Sequence, residues 1–218
     1  MTISEKKNIE SVLSALENGK NFFIIGCGEC ATSCKTGGKA EVDEMVEILK
    51  SKGKNVTGSG VCDTTCDLRL LKKFLRQEND GFNESDTVIM LSCGAGIQAI
   101  REISDKKIIS GVNTMFLGTI ERLGTYNEFC VQCGNCTVSS TFGFCTKTRC
   151  AKGLVNGPCG NAKDGKCEQG SDKPCIWVLI YDFLKKQGRE KEILNISINN
   201  DFSKTNRPRK IKDYKQVY

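Results

Sequence analysis

The sequence predicts an α/β protein: a doubly wound, mostly parallel sheet in the N-terminal half, then a small cysteine-rich module that binds a metal cluster and is closed by a helix. Two observations lead to this prediction. In the first half, short apolar runs alternate with stretches whose apolar residues recur at helical spacing, which is typical of βαβ units. In the second half, eight of the fourteen cysteines lie between Cys130 and Cys175, and long periodic segments are missing until Cys175.

Four runs of strand length stand in the first half, and each is followed by a helical pattern or a turn. The predicted strands are FFIIG (22–26), NVTGSGV (55–61), TVIMLSC (87–93) and KIISGVN (107–113). Apolar residues at three- and four-residue spacing predict helices over 8–18, 40–52, 64–77 and 94–104. Gly19 follows the first helix as a stop signal.

Beyond residue 113 the pattern changes. The stretch MFLGTIERLG (115–124) is interpreted as a short helix that crosses back over the sheet. The run CIWVLIYDFLKKQG (175–188) predicts one helix that ends near Gly188. Its core-facing side chains are predicted to be Trp177, Ile180, Tyr181 and Leu184. The expected organisation is an α/β domain over 1–125, a cysteine-rich module over 126–190 and a basic extension over 191–218.

The cysteines are expected to be reduced ligands in a cytoplasmic protein. The first ten residues, MTISEKKNIE, are polar and do not resemble a secretory signal. The longest apolar runs are too short to span a bilayer. Thiols in a cytoplasm stay reduced, so fourteen cysteines indicate metal ligation and not disulfides. With no histidine in the chain, any metal must be held mainly by thiolates.

The formal net charge of +6 is mild, and part of it lies in the tail, SKTNRPRKIKDYKQ (203–216). No nucleic-acid-binding module accompanies this tail, so nucleic acid is not an expected partner. We interpret the tail as a solvated or partner-docking extension that would attract acidic electron carriers. Because it carries no thiol, truncation after about residue 190 is expected to leave the metal content intact.

The first set of cysteines follows the predicted strands. Cys27 follows the first strand, Cys62 the second, and Cys93 ends the third. The carboxyl ends of parallel strands meet at one edge of a sheet, and ligands bind there. Cys30 and Cys34 stand in the glycine-rich turn after Cys27 and would reach the same edge.

These positions predict an iron–sulfur site at the sheet edge. Cys27, Cys30 and Cys34 are the expected thiolate ligands, Cys93 is the preferred fourth, and Cys66 is the alternative. Cys62 is interpreted as a buried, inert cysteine. The glycines in GCGEC (26–30) and CGAG (93–96) do not complete G-x-G-x-x-G, so a dinucleotide site is not expected.

The second set has a ferredoxin-like beginning. Cys130, Cys133 and Cys136 are spaced as in a cluster motif, although a zinc site could use the same thiolates. The pattern departs from the bacterial ferredoxin run because Cys145 comes after eight residues and no proline follows it. The ligand that completes this site stays open. The natural second quartet is Cys150, Cys159, Cys167 and Cys175.

Three segments carry a resemblance to a known family. TRCAKGLVNGPCG (148–160), GKCE (165–168) and CIWVLIY (175–181) resemble the cysteine-rich C-terminal domain found with methylenetetrahydrofolate reductases. With the N-terminal half included, the chain is similar to the small, MetV-type iron–sulfur subunit of the reductase from acetogenic bacteria. The resemblance is dense over 130–182, looser over 21–122, and absent from about the last thirty residues.

The resemblance implies an electron-transfer subunit without catalytic residues of its own. In this family the flavin, FMN or FAD, and the folate pocket reside in a separate α/β-barrel subunit. The chain would hold two or three 4Fe–4S clusters, with zinc open at one four-thiolate site. It would pass electrons from ferredoxin or another iron–sulfur subunit to that flavin. The barrel would then reduce 5,10-methylenetetrahydrofolate to 5-methyltetrahydrofolate in the Wood–Ljungdahl pathway.

Two other classes of function stay open. A zinc-bearing structural subunit that scaffolds the same kind of complex would be colourless and redox-inactive. A free-standing enzyme whose cluster binds substrate at an open iron would turn over as the isolated chain.

Overall fold

The computed structural model describes residues 1–16, 19–205 and 207–210. The chain divides into two compact units, Met1–Asn127 and Glu128–Tyr218. Within the described residues, no helix combines the length and apolar character needed to cross a membrane.

The described residues of the first unit form seven strands, the last of which ends at Glu128, and six helices. The strands are β1 (Thr2–Lys6), β2 (Asn21–Cys27), β3 (Asn55–Cys62), β4 (Thr87–Leu91), β5 (Lys107–Ser110), β6 (Val112–Arg122) and β7 (Thr125–Glu128). The helices are α1 (Ile9–Ala15), α2 (Cys30–Ser33), α3 (Lys39–Ser51), α4 (Leu68–Gln77), α5 (Asn79–Glu84) and α6 (Gly94–Arg101).

A four-stranded parallel sheet forms the centre of this unit and confirms the predicted α/β class. Its strand order is β3-β2-β4-β5, and every pair in it is parallel. Helices α1 and α3 pack apolar residues on one face, and α4 and α6 pack theirs on the other. The sheet is therefore doubly wound. Its strand order reverses between β2 and β4, which is where open sheets of this kind form their ligand crevice.

The stretch 115–124 is not the predicted helix. It belongs to β6, which pairs antiparallel with β1 and, through β7, completes a second sheet in the order β1-β6-β7. Phe116 and Ile120 favour extended backbone, and Gly118 disfavours a helix. A Cβ at Gly118 would lie 2.8 Å from Ile3 Cγ1, so the glycine lets β1 pack closely here.

Three predicted boundaries also need correction. The run 107–113 is two strands, because β5 ends at Ser110 and β6 begins at Val112. The helix predicted over 64–77 begins at Leu68, where the Asp67 side chain accepts from the Arg69 and Leu70 backbone N–H groups. The helix predicted over 94–104 ends at Arg101. Residues 17 and 18 of the first predicted helix lie outside the described residues.

The second unit is built around one helix. Its elements are α7 (Thr146–Arg149), β8 (Lys166–Cys167), β9 (Gly170–Pro174), α8 (Ile176–Lys185) and three 3-10 turns over Val138–Thr141, Glu190–Asn195 and Ser203–Thr205. Helix α8 buries four side chains, Ile176, Trp177, Ile180 and Leu184, together with Ile196 and Ile198. The long helix predicted here is confirmed, but Tyr181 is 41% exposed and does not face the core.

Candidate metal centres

Cysteines of the first unit collect at the carboxyl edge of the parallel sheet. Cys27 and Cys62 end neighbouring strands β2 and β3 and stand directly opposite each other. Cys93 caps helix α6 just beyond β4, and Cys30 opens helix α2. Cys66 lies in the loop before α4, two residues before the helix begins, and not in its first turn. These positions place several thiols on both sides of the switch point between β2 and β4.

The electrostatics of Cys66 show which thiols share its surroundings. Desolvation is the largest cause that raises the pKa of Cys66, although its side chain lies exposed at the rim. Negative charge on Cys93, Cys27 and Cys30 raises that pKa further. Because such effects weaken with distance, these four thiols form one neighbourhood. We call Cys27, Cys30, Cys66 and Cys93 the rim quartet.

Cys62 lies beside the quartet but is held in the thiol form. Burial, with the neighbouring charges of Cys27, Asp63 and Cys66 as smaller causes, raises the pKa of Cys62 from 9.0 to about 11. Its side chain is only 1% exposed and packs in the apolar core under α4 and α6. A neutral, buried thiol of this kind is a poor metal ligand in the metal-free protein.

Cys34 makes a contact with strand β1. Its Sγ donates to the backbone carbonyl of Thr2 in β1, 3.8 Å away, and the residue is 8% exposed. Cys34 as a ligand stays a prediction, and it would require this side chain to leave Thr2.

The turn that carries Cys30 is packed tightly against two neighbouring strands. The Cys27 N–H donates to the carbonyl of Gly37 over 2.9 Å, and the Gly28 N–H donates to the carbonyl of Cys62 over 2.8 Å. A Cβ at Gly37 would overlap the carbonyl oxygen of Leu91 and lie 2.8 Å from its carbonyl carbon. Glycine is therefore required at position 37 for this approach. The close packing fixes the backbone on which the thiols are displayed.

A buried hydroxyl without a partner lies next to the quartet in sequence. Thr65 is 1% exposed, and its Oγ1 has no hydrogen-bond partner among the described residues. A Cβ at Gly96, in the first turn of α6, would overlap this oxygen and lie 2.7 Å from Ser92 Oγ. Leaving such a group unpaired costs about 1–3 kcal/mol, so the free energy of folding is reduced unless another group pairs with this hydroxyl.

In the second unit, the run CVQCGNC forms a tight loop, residues 130–136. Gln132 and Gly134 adopt left-handed backbone conformations, with φ of 52° and 82°. The Gln132 N–H donates to Cys130 Sγ over 3.4 Å, and the Cys133 thiol donates to the Asn135 carbonyl over 3.4 Å. The turns bring three thiols onto one short loop, which we call the three-cysteine loop.

Basic groups lie close to this loop and to Cys145. The Lys147 ammonium donates to the Asn135 carbonyl over 2.9 Å. Arg149 stacks its guanidinium over Phe129 at 4.6 Å from the ring centroid. Desolvation lowers the pKa of Arg149, and the charge of Cys145 opposes that shift. These contacts place two cations beside cysteine-bearing segments of the second unit.

The remaining cysteines of this unit are spread over several elements. Cys145 caps α7 and lies 3.4 Å from Thr148 Oγ1. Cys150 and Cys175 pack partly buried against the core of α8, Cys167 ends β8, and Cys159 is exposed. All fourteen cysteines, each within the described ranges, are free thiols.

A comparison with known families now bears on this unit. Residues 109–203 match the family model described as methylene-tetrahydrofolate reductase C terminal. The match includes β6, β7 and all eight cysteines between Cys130 and Cys175. It relates the cysteine-rich half to methylenetetrahydrofolate reductases. No curated protein and no solved structure matches the chain.

The matched residues leave out the rim quartet, whose place in the chain is residues 27–93. Within the described part of the chain, no group of three or more cysteine or acidic side chains is gathered tightly enough to hold a single metal ion. Thiolates on a four-iron cluster bind different iron atoms, so they stand farther apart than the ligands of one ion.

Sequence reasoning missed two features of these centres. Thr65 and Thr146 each adjoin a cysteine and bury an unpartnered hydroxyl, as far as the described residues extend. Nothing in the local pattern marks them, because a threonine beside a cysteine is unremarkable until its burial is known. The sequence also gave no sign that the chain beyond residue 195 would pack against the three-cysteine loop.

Proposed function

We propose that this chain is the iron–sulfur electron-transfer subunit of a methylenetetrahydrofolate reductase complex in the cytoplasm. The observation that carries the proposal is the family match, which covers all eight cysteines of the second unit. The catalytic partner would be a flavin-containing barrel that reduces 5,10-methylenetetrahydrofolate to 5-methyltetrahydrofolate. Ferredoxin or another iron–sulfur subunit would be the electron donor.

The rim quartet would hold the cluster of the first unit. Cys27 and Cys93 flank the switch point, and Cys30 and Cys66 approach it from the adjoining turns. The helix dipole at the start of α6 favours negative charge beside Cys93. When bound, 4Fe–4S clusters supply one-electron redox chemistry, with potentials set by hydrogen bonds, charge and solvent exposure.

The second unit would hold one or two further groups. Cys130, Cys133 and Cys136 act together on the three-cysteine loop, with Lys147 close by to offset thiolate charge. The second candidate quartet comprises Cys150, Cys159, Cys167 and Cys175. The second quartet, or the three-cysteine loop once a further thiol completes it, could bind zinc in place of a cluster, because four thiolates suit both.

The distribution of charge supports an acidic partner for the second unit. Residues 1–127 carry 16 basic and 17 acidic side chains, whereas residues 128–218 carry 16 basic and 9 acidic ones. The first unit is thus nearly neutral, and the second has a net charge of +7. An excess of this kind accelerates encounter with acidic proteins and sets the orientation of docking.

Anaerobic purification followed by iron, sulfide and zinc analysis tests the proposal. We expect a brown protein with about eight iron atoms or more per chain, equivalent to two clusters. Dithionite should bleach its visible absorbance, and reductase activity should require the flavoprotein partner. A colourless, redox-silent chain that contains only zinc would identify a structural subunit instead. Turnover by the isolated chain would identify a free-standing enzyme.

A further inference from the structure

The chain beyond α8 returns to the cysteine-rich half of the same unit. We use the name C-terminal strap for residues 196–205 and 207–210. Its first part is anchored, since Ile196 and Ile198 are buried with Trp177 in the core of α8. The side chain of Asn156 makes two hydrogen bonds to Ile198, donating to its carbonyl over 3.0 Å and accepting from its N–H over 2.6 Å. The strap is thereby clasped to the NGPCG turn that carries Cys159.

The second part of the strap lies directly on the three-cysteine loop. The Arg209 guanidinium donates to the Gln132 carbonyl over 3.1 Å and to the Lys204 carbonyl over 2.9 Å. A Cβ at Gly134 would lie 3.0 Å from Arg209 Nη1 and 3.0 Å from Lys204 Cβ. Gly134 is therefore constrained twice, by its left-handed φ and by the strap above it.

These contacts leave a groove of about 250 Å³ between strap and loop. Its lining includes Cys133, Lys147 and Phe202. The loop carbonyls of Gln132 and Asn135 are each held by a cation, Arg209 in one case and Lys147 in the other. A loop restrained in this way displays its three thiols in one arrangement.

We propose that the C-terminal strap clamps the three-cysteine loop, with Arg209 as its positioning residue, so that metal bound by Cys130, Cys133 and Cys136 is retained. The proposal adds a means of metal retention to the function proposed above, and it depends on that function only for the identity of the metal. It replaces the expectation that the chain after about residue 190 is dispensable for metal content. Arg209 touches no reacting atom; it acts through the backbone of the loop.

The test uses the full-length chain with Arg209→Gln, and Arg207→Gln as the control that removes the same charge two residues away. In metal-free protein, the rate of Cys133 alkylation by iodoacetamide is followed by peptide mass spectrometry. In loaded protein, release of iron or zinc to a chelator is followed over time. We expect Arg209→Gln to accelerate both by about threefold to tenfold, as expected for losing a charge-assisted hydrogen bond. Arg207→Gln should behave as wild type.

Two further variants separate a clamp from a general loss of stability. Arg209→Lys keeps the charge but not the forked geometry, so it should restore part of the effect. A chain ending after residue 200 keeps the Ile196 and Ile198 anchors and should match or exceed Arg209→Gln. The alkylation rate of Cys66 in the first unit should stay unchanged in all variants.

The outcomes of this test and of the proposed function are distinguishable. Equal Cys133 alkylation in Arg209→Gln, Arg207→Gln and wild type would overturn the clamp, even in a protein full of clusters. Faster alkylation confined to Arg209→Gln and the truncated chain would support it, even in a protein that binds zinc or no metal.

Discussion

Replacing Cys66 or Cys34 by serine, one at a time, should have opposite effects on the iron content of the first unit. Cys66 belongs to the rim quartet, where the charges of Cys93, Cys27 and Cys30 act on it. The Cys34 thiol instead donates to Thr2 in β1. Cys66→Ser should therefore empty the first-unit site of about four iron atoms, one cluster, because serine is a poor substitute for a thiolate ligand. Cys34→Ser should keep them.

In the metal-free protein, replacing Cys34 should reduce the unfolding free energy more than replacing Cys66. Cys66 is exposed at the rim, so its replacement should alter the unfolding free energy by no more than about 0.5 kcal/mol. Cys34 is 8% exposed, and a serine hydroxyl in its place would lie farther from the Thr2 carbonyl than the thiol does. The cost should be about 1 kcal/mol, which lowers Tm by about 3–5 °C in a unit of this size.

Both variants are made and purified without air, beside Cys30→Ser as a ligand control. Iron and sulfide are counted per chain, and thermal unfolding of the metal-free proteins is followed by circular dichroism. Full iron in Cys66→Ser, with one cluster missing from Cys34→Ser, would refute the assignment of the quartet. If Cys30→Ser also kept its full iron content, the first unit would have no iron–sulfur site.

Three other changes probe the fold and the charge distribution. Gly37→Ala should destabilise the first unit by about 3 kcal/mol or more in urea unfolding, because the new methyl overlaps the Leu91 carbonyl; a loss below about 1 kcal/mol would contradict the packing. Hydrogen bonds from Thr87 and from the Asn21 and Lys20 N–H groups outweigh the effect of burial and lower the pKa of Asp86 below its usual 3.8. The stabilisation that the Asp86 carboxylate contributes should be complete above pH 3.8 and should disappear as the pH falls through the lower pKa of the folded state. When Tm is measured over a pH series, its decrease in acid should therefore be smaller in Asp86→Asn than in the wild type. Binding of an acidic electron carrier to the chain, measured by calorimetry, should weaken at least tenfold from about 0.05 to 0.5 M salt if the +7 unit forms the docking surface; affinity independent of salt would exclude that.

The parallel sheet could be predicted because each of its buried strands is marked by neighbouring residues in the sequence. The residues of β2 and β4 are almost all buried, so each is a short apolar run bounded by turns. Strand β6 was misread because it is mostly exposed and pairs with β1, more than a hundred residues away in the chain. A pairing at that separation leaves no mark in the local pattern of either strand.

The candidate site was predictable to the level of the sheet edge. The rule for parallel strands places Cys27 and Cys93 together without any knowledge of side-chain direction. The sequence takes Cys34 as a ligand and leaves Cys66 as the alternative to Cys93; we propose Cys66 in place of Cys34 because the Cys34 thiol contacts Thr2. The contacts of Arg209 with the three-cysteine loop could not be predicted either, because the sequence of a basic tail does not show whether the tail is solvated or packed.

Strand β2 has a consequence for how a cluster would be assembled. It is bonded to β3 on one side and β4 on the other, and its apolar side chains are buried on both faces of the sheet. Moving Cys27 would break its pairing with Cys62 in β3, whereas Cys66 stands in the loop before α4, which can adjust at lower cost. In the proposed site, the Cys27 thiol would therefore be stationary and the Cys66 thiol would move to complete it, and the amide of Cys27, which donates to the Gly37 carbonyl, should exchange its hydrogen slowly.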